Sequence, residues 1–171
     1  MEFSTKKFII SAIYGSNDGG DRKRPWSHLI SIYKIGMNEP WLLTGDFNII
    51  ASSSESSSFN ASQAISNDMK DFEDARNHIS VYDHAFSGPL FTWTNKHQKG
   101  FMVRKLDRVL INDLWSSWFA HSLVEFLSPE VSDHCPSLIK LQQDTFSPPK
   151  PFKFFNFWFQ HLEFLQIVEK S

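Results

Sequence analysis

A mixed, layered α/β fold is predicted for this 171-residue chain by two features of pattern and one of size. Apolar runs that suit strands alternate with two stretches of helical periodicity over the first half, and a succession of short strand-like segments follows, a pattern that favours sheets layered with helices. With 41% hydrophobic and 21% charged residues, the chain has the make-up of one globular domain with a substantial core. The formal net charge of −2 advertises no overall basic field, which argues only weakly against a nucleic-acid partner.

Residues 8–14 read as a core strand. Lys6 and Lys7 before them faintly imitate a secretory signal, but the apolar run is short, interrupted by Ser11 and closed by Tyr14. Residues 15–20, rich in Gly, Ser, Asn and Asp, form a loop. Pro25 suits the first turn of a helix in which Trp26, Leu29, Ile30 and Tyr33 recur at helical spacing and which Gly36 ends. A buried strand follows at residues 41–43, and serine-rich residues 52–58 predict a flexible, exposed loop. Ile65, Met69, Phe72 and Ile79, with acidic residues between them, predict a second, surface helix.

Beyond it, short strands dominate. Residues 81–86 read as one, a turn follows at Ser87-Gly88-Pro89, and residues 91–94 and 101–103 flank a polar hairpin loop at 95–100. Residues 106–111 form another strand, Trp115, Trp118 and Phe119 a short packing helix, and residues 124–127 and 137–141 the last strands. The prolines at 148, 149 and 151 mark a boundary, leaving 1–147 as the domain and 148–171 as a strongly aromatic appendage. No apolar run approaches the roughly 18 residues of a membrane span, so a soluble chain is expected. The single Cys135 excludes an internal disulfide and fits a reducing compartment, and the sequon Asn60-Ala61-Ser62 matters only in a secreted chain.

Two stretches carry the candidate chemistry. Asp46 and Asn48 end the apolar run at Trp41, with Gly45 permitting a tight backbone; two residues apart, they project from one side of an extended strand end. A carboxylate can move a proton or hold a metal and an amide can donate to a developing oxyanion, although both residue types are also ordinary turn formers. Downstream, Asp133 and His134 precede Cys135-Pro136 on a loop between strands, and Asp107 could fix the tautomer of the histidine. Asp46, Asn48, Asp107, Asp133 and His134 together could supply much of what phosphodiester hydrolysis requires. No P-loop, zinc spacing or nucleophilic Ser or Cys pattern competes with that set.

The ordered blocks Tyr14-Gly15, Gly45-Asp46-Phe47-Asn48, Phe91-Thr92-Trp93-Thr94-Asn95, Leu106-Asp107-Arg108-Val109-Leu110 and Ser132-Asp133-His134-Cys135-Pro136 resemble the endonuclease/exonuclease/phosphatase family over about residues 8–141. More narrowly they resemble the apurinic-type endonuclease domain of plant LINE-type non-LTR retrotransposons. The tail, Lys150-Pro151-Phe152-Lys153-Phe154 with Asn156-Phe157-Trp158, resembles the linker toward a reverse transcriptase. The resemblance implies a layered α/β sandwich, Mg²⁺ or Mn²⁺ as cofactor, DNA as partner, and an intracellular, nuclear location if the DNA-directed reading holds. Tyr14 would contact the phosphate, Asp46 would transfer a proton or activate water, Asn48 would support the phosphoryl oxygens, Asp107 would orient His134, and Asp133 would help hold the metal. His134 would bind the scissile phosphate or act as base. Thr92, Trp93 and Asn95 would line the side that meets nucleic acid. The bland alternatives are Tyr14 and Trp93 as core aromatics, Thr92 as an ordinary strand residue, and Asp107 as a salt-bridge partner of Arg108.

One departure from the family pattern stands out. The family's upstream Asn and metal-binding Glu have no counterpart before Tyr14, and neither Glu2 nor Glu55 suits the role. The expectation is therefore a domain lacking its N-terminal strands, with impaired activity and exposed sheet edges. Alternatives are an inactive retroelement remnant with residual nucleic-acid binding, or a phosphatase of the same fold.

Overall fold

A computed structural model describes residues 7–17, 23–58 and 65–141. The appendage at 148–171, the boundary drawn before it and the sequon at Asn60 lie outside these residues. Strand β1 (Ile9–Tyr14) leads to helix α1 (Lys23–Gly36) and then to β2 (Trp41–Asp46), parallel to β1 and in register from Ile9↔Trp41 to Tyr14↔Asp46. A 3₁₀ turn at Ser53–Glu55 precedes α2 (Asn67–His78), β3 (Tyr82–Asp83) and β4 (Phe86–Ser87). The hairpin of β5 (Trp93–Thr94) and β6 (Val103–Arg104) comes next, then β7 (Asp107–Ile111), α3 (Asp113–Trp118), β8 (Leu123–Phe126) and β9 (Ser137–Lys140). One sheet has the order β1-β2-β7-β3 and another β4-β8-β9, while β5 and β6 pair with each other.

The four-stranded sheet is the middle layer. Trp26 and Leu29 of α1 and Met69, Phe72 and Ala75 of α2 pack with Trp41, Leu43 and Leu110 on one face. Leu42, Val109 and Ile111 pack from the other face on Phe86, Val124, Phe126 and Trp115. Because both faces of β2 are covered, Trp41, Leu42 and Leu43 are all buried and the strand reads as a continuous apolar run. Each such side chain contributes roughly 1.5–3 kcal/mol on full burial. This is the layered α/β sandwich anticipated from the element pattern.

Local polar groups set the joints. The Ser66 hydroxyl accepts from Met69 N–H at 3.2 Å and starts α2, a cap of about 1 kcal/mol. Asn112 does two jobs: its Oδ1 accepts from Trp115 N–H at 2.9 Å, capping α3, and from Trp41 N–H at 3.0 Å, tying that cap to the start of β2. No helix among the described residues is long and apolar enough to cross a membrane.

Three expectations change. Residues 8–14 form an edge strand, not a core strand: β1 pairs only with β2, and Ile10 is 53% exposed. Residues 81–86 split between two sheets, because β3 pairs with β7 and the chain then crosses so that Phe86 pairs with Val124. The serine-rich loop is anchored where a flexible one was expected. Ser56 is buried, Ser57 N–H donates to Val103 O at 3.0 Å, and Glu55 is held in an ion-pair cluster described below.

Candidate active site

Strand register places Tyr14, Asp46 and Asp107 side by side across β1, β2 and β7. Residues opposite one another share a face of the sheet, so three strands deliver these side chains to one end of it. Two glycines make the approach possible: Gly45 has φ +140°, and a Cβ on it would collide with the Ile13 carbonyl, while a Cβ on Gly15 would collide with that of Phe47. Tyr14 is 77% exposed and is therefore not a core aromatic, and the Asp46 and Asp107 side chains are largely buried.

His134 arrives from the loop before β9. Its Nδ1 lies 2.9 Å from Asp107 Oδ2 and 3.2 Å from Oδ1. An ionised carboxylate only accepts, so Nδ1 carries the proton and donates, leaving Nε2 as the available ring nitrogen. That nitrogen faces Asp46 Oδ2 at 3.9 Å. The gap is too long for a direct hydrogen bond and leaves the two groups to act on a third.

The electrostatics follow from this crowding. Burial, with the neighbouring Asp107 charge, raises the Asp46 carboxyl above its ordinary value against the opposing hydrogen bonds from Asn48. Burial alone would lower the His134 imidazole, but the hydrogen bond and charge of Asp107, aided by Asp46 and Asp133, outweigh it and the pKa is raised. One ligand atom from each of Asp46, Asp107 and His134 lies within 4.8 Å of the others. Two like charges pressed together beside an imidazole fit a divalent cation, which would relieve the repulsion that raises Asp46.

The remaining candidates divide into supports and rim. Asn48 sits in the left-handed region (φ 51°), which asparagine tolerates. Its amide donates to Gly15 O and Asp46 Oδ2, each at 2.8 Å, and its backbone N–H to Asp46 Oδ1 at 2.9 Å. Both side-chain donors are thus committed to holding Asp46. Thr92 is fully buried rather than facing a ligand: its Oγ1 accepts from Leu106 N–H at 3.0 Å and Asp107 N–H at 2.8 Å, and its carbonyl from Cys135 N–H at 2.7 Å. It links the strand bearing Asp107 to the loop bearing His134. Asp133 stands outside the three-donor cluster, exposed, its Oδ2 accepting from Trp93 Nε1 at 3.0 Å. Its carboxyl is held low by its own backbone N–H and by Trp93. Asn95 shapes the hairpin, accepting from His97 and Met102 N–H and donating to Gly100 O.

Sequence reasoning missed a second charged constellation on the opposite face of β7. Arg108 is fully buried and pairs with Glu55 and, at 3.1 Å, with Asp83, whose carboxylate also meets Lys105 at 3.2 Å and Arg76 at 3.3 Å. Arg108 is not paired with Asp107, because neighbouring residues of a strand point to opposite faces. The available signal was a charged residue between Asp107 and Val109-Leu110 in a strand covered on both faces, which demands a buried counterion.

Residues 22–134 match the profile of the endonuclease/exonuclease/phosphatase family. The chain belongs to that family. Its fold is similar to the endonuclease domain of TRAS1, a telomere-specific non-LTR retrotransposon, with a TM-score of 0.58 and 9% identity over 84% of this chain and 62% of that one. It is also similar to a functionally unknown conserved protein from Enterococcus faecalis V583, with a TM-score of 0.51 and 14% identity over 81% of this chain and 53% of that one. Both likenesses are of fold, and the chain spans less than two thirds of either structure. No curated protein matches the sequence. The endonuclease/exonuclease/phosphatase family is generally divalent-metal dependent, and the rung of Asp46 and Asp107 with His134 is the group of described residues suited to such an ion. Membership places the chemistry in the nuclease and phosphodiesterase class.

Proposed function

We propose that this chain carries the His134 side of a phosphodiesterase site acting on DNA, the endonuclease of a non-LTR retrotransposon, with Mg²⁺ or Mn²⁺ as its ion. The observation that supports it most is the Tyr14, Asp46 and Asp107 rung with His134 held against Asp107 by Nδ1. In this reading Asp107 fixes the imidazole so that Nε2 meets the scissile phosphate or takes a proton near it. Asp46, positioned by Asn48, moves a proton to or from the reacting oxygen, and the exposed Tyr14 hydroxyl donates to a phosphoryl oxygen. A divalent ion held at Asp46, Asp107 and His134 would supply positive charge for the developing phosphorane. Lys96, His97 and Lys99, all exposed on the hairpin loop, would meet backbone phosphates. Trp93 and Asp133 would brace that loop against the site.

A second reading, residual binding of nucleic acid without cleavage, is favoured by one observation. Among the described residues the cluster holds two carboxylates and one imidazole, with Asp133 outside it. One experiment separates them. The purified chain, alone and fused to an upstream segment that supplies a further acidic ligand, is incubated with supercoiled plasmid and Mg²⁺. The chain alone is expected not to nick, and the fused protein to nick in a metal-dependent manner that His134→Ala reduces about 10²-fold or more, the scale of a lost general base. Near-normal nicking by fused His134→Ala would overturn the assignment of His134. Metal-dependent nicking by the unfused chain that vanishes in His134→Ala would show that the three donors suffice.

A further inference from the structure

Half of the inter-sheet face is open, and the open half lies beside an open edge. Ile10 and Ala12 are in register with Leu42 and Thr44 and so point to the side on which Leu42 packs against the second sheet. Yet Ile10 is 53% exposed, and Ala12 is exposed too. The second sheet stops short of them. Its order is β4-β8-β9, and the short link from β3 to β4 ties β4 to the β3 side of the four-stranded sheet, which leaves β9 on the side of β1. One more strand beside β9 would lie over Ile10 and Ala12.

The edge of β9 has the hydrogen-bonding groups for it. Leu127 N–H donates to Pro136 O at 2.9 Å, and the register continues with Phe126↔Ser137, Glu125↔Leu138 and Val124↔Ile139. By antiparallel alternation the Leu138 and Lys140 N–H groups face β8, while those of Ser137 and Ile139 point outward. On the far face Leu138 is 41% exposed, so an added strand would find apolar neighbours on both sides.

The chain itself carries a fitting segment. Residues 152–159 read Phe-Lys-Phe-Phe-Asn-Phe-Trp-Phe, six aromatics in eight, and they follow the end of β9 after a connection rich in proline. The residues between Leu141 and Phe152 reach up to roughly 30 Å, and returning along β9 takes only about 13 Å. We propose that residues 152–159 add as an antiparallel strand to the outer edge of β9 and close the sandwich over Ile10 and Ala12. Phe155, Phe157 and Phe159 lie on the face toward Ile10, and Phe154 and Trp158 on the face beside Leu138.

Amide hydrogen exchange on the full chain tests this, with the Leu110 amide as a reporter of the central sheet. The Ser137 and Ile139 amides are expected to exchange at least about 10²-fold more slowly than free peptide, independent of tenfold dilution. In the full-length Phe155→Asp/Phe157→Asp variant that protection is lost while Leu110 stays protected. If the double variant also loses Leu110 protection, the milder Phe157→Ala is used, with a partial loss confined to Ser137 and Ile139 expected. Free exchange at both amides in the unmodified monomer overturns the proposal. Protection that disappears on dilution assigns the edge to a second copy, and protection gained only on fusing an upstream segment assigns it to that segment; either also overturns it.

Discussion

Asp107 and Arg108 are neighbours on β7 yet lie in opposite electrostatic surroundings. On one face Asp107 stands beside Asp46 with a single partly exposed imidazole between them, and the Asp46 carboxyl is raised by burial and by that like charge. On the other, Arg108, Lys105 and Arg76 surround Asp83; burial would raise this carboxyl, but the three cations outweigh it and bring it down to about 2. The first cluster has surplus negative charge and an open side, the second is closed and internally matched. Frustrated charge in an accessible place can do work on a ligand, whereas matched charge in a closed place can only hold the protein together.

The sharpest way to break this contrast is to remove one member of each cluster. Arg108→Ala leaves Glu55 and Asp83 buried with too little positive charge and is expected to lower stability by about 3–5 kcal/mol in urea unfolding. Asp107→Asn should change stability by less than about 1 kcal/mol, because it removes a repulsion along with a hydrogen bond. If Asp107→Asn proves as damaging as Arg108→Ala, the distinction between the two faces is lost.

Protonation gives a second comparison. Asp83 has a depressed pKa, so its contribution, on the order of 2 kcal/mol, is present above the ordinary aspartate value and is lost as pH falls toward about 2. Asp83→Asn should flatten the acid limb of stability against pH. His134 has a raised pKa, so what it contributes is complete below its unfolded value near 6.5 and is lost as pH rises through the folded one. An NMR titration should show the His134 pKa falling in Asp107→Asn, and falling less in Asp46→Asn, whose carboxylate is farther from the ring. Equal shifts would mean that Asp107 is not the principal partner.

The smallest expected effect is on the hairpin rim. Lys96→Ala/Lys99→Ala should leave folding nearly unchanged, weaken DNA binding, and reduce the slope of log K against log salt by about 1–2. A slope unchanged from that of the parent chain would make this an ordinary solvated turn.

The order of elements, the helix stops and the continuous burial of residues 41–43 were legible in the sequence because they depend on local periodicity and turn chemistry. So were the two ends of the site, since Asp46-Phe47-Asn48 and Ser132-Asp133-His134 belong to ordered blocks that mark the family. What the sequence alone left open was partnership. Whether Thr92 faces a ligand or supports Asp107, whether Glu55 waves in a serine loop or pairs with Arg108, and whether Asp133 or Asp107 joins Asp46 all depend on strand register. Register turns a shift of one residue into a change of face, and it is decided only when strands far apart in sequence pack together. The chain thus states its residue types and their order by itself, and the folded sheet alone decides that Asp107 meets His134 while Arg108, one residue on, is sealed against Glu55 and Asp83.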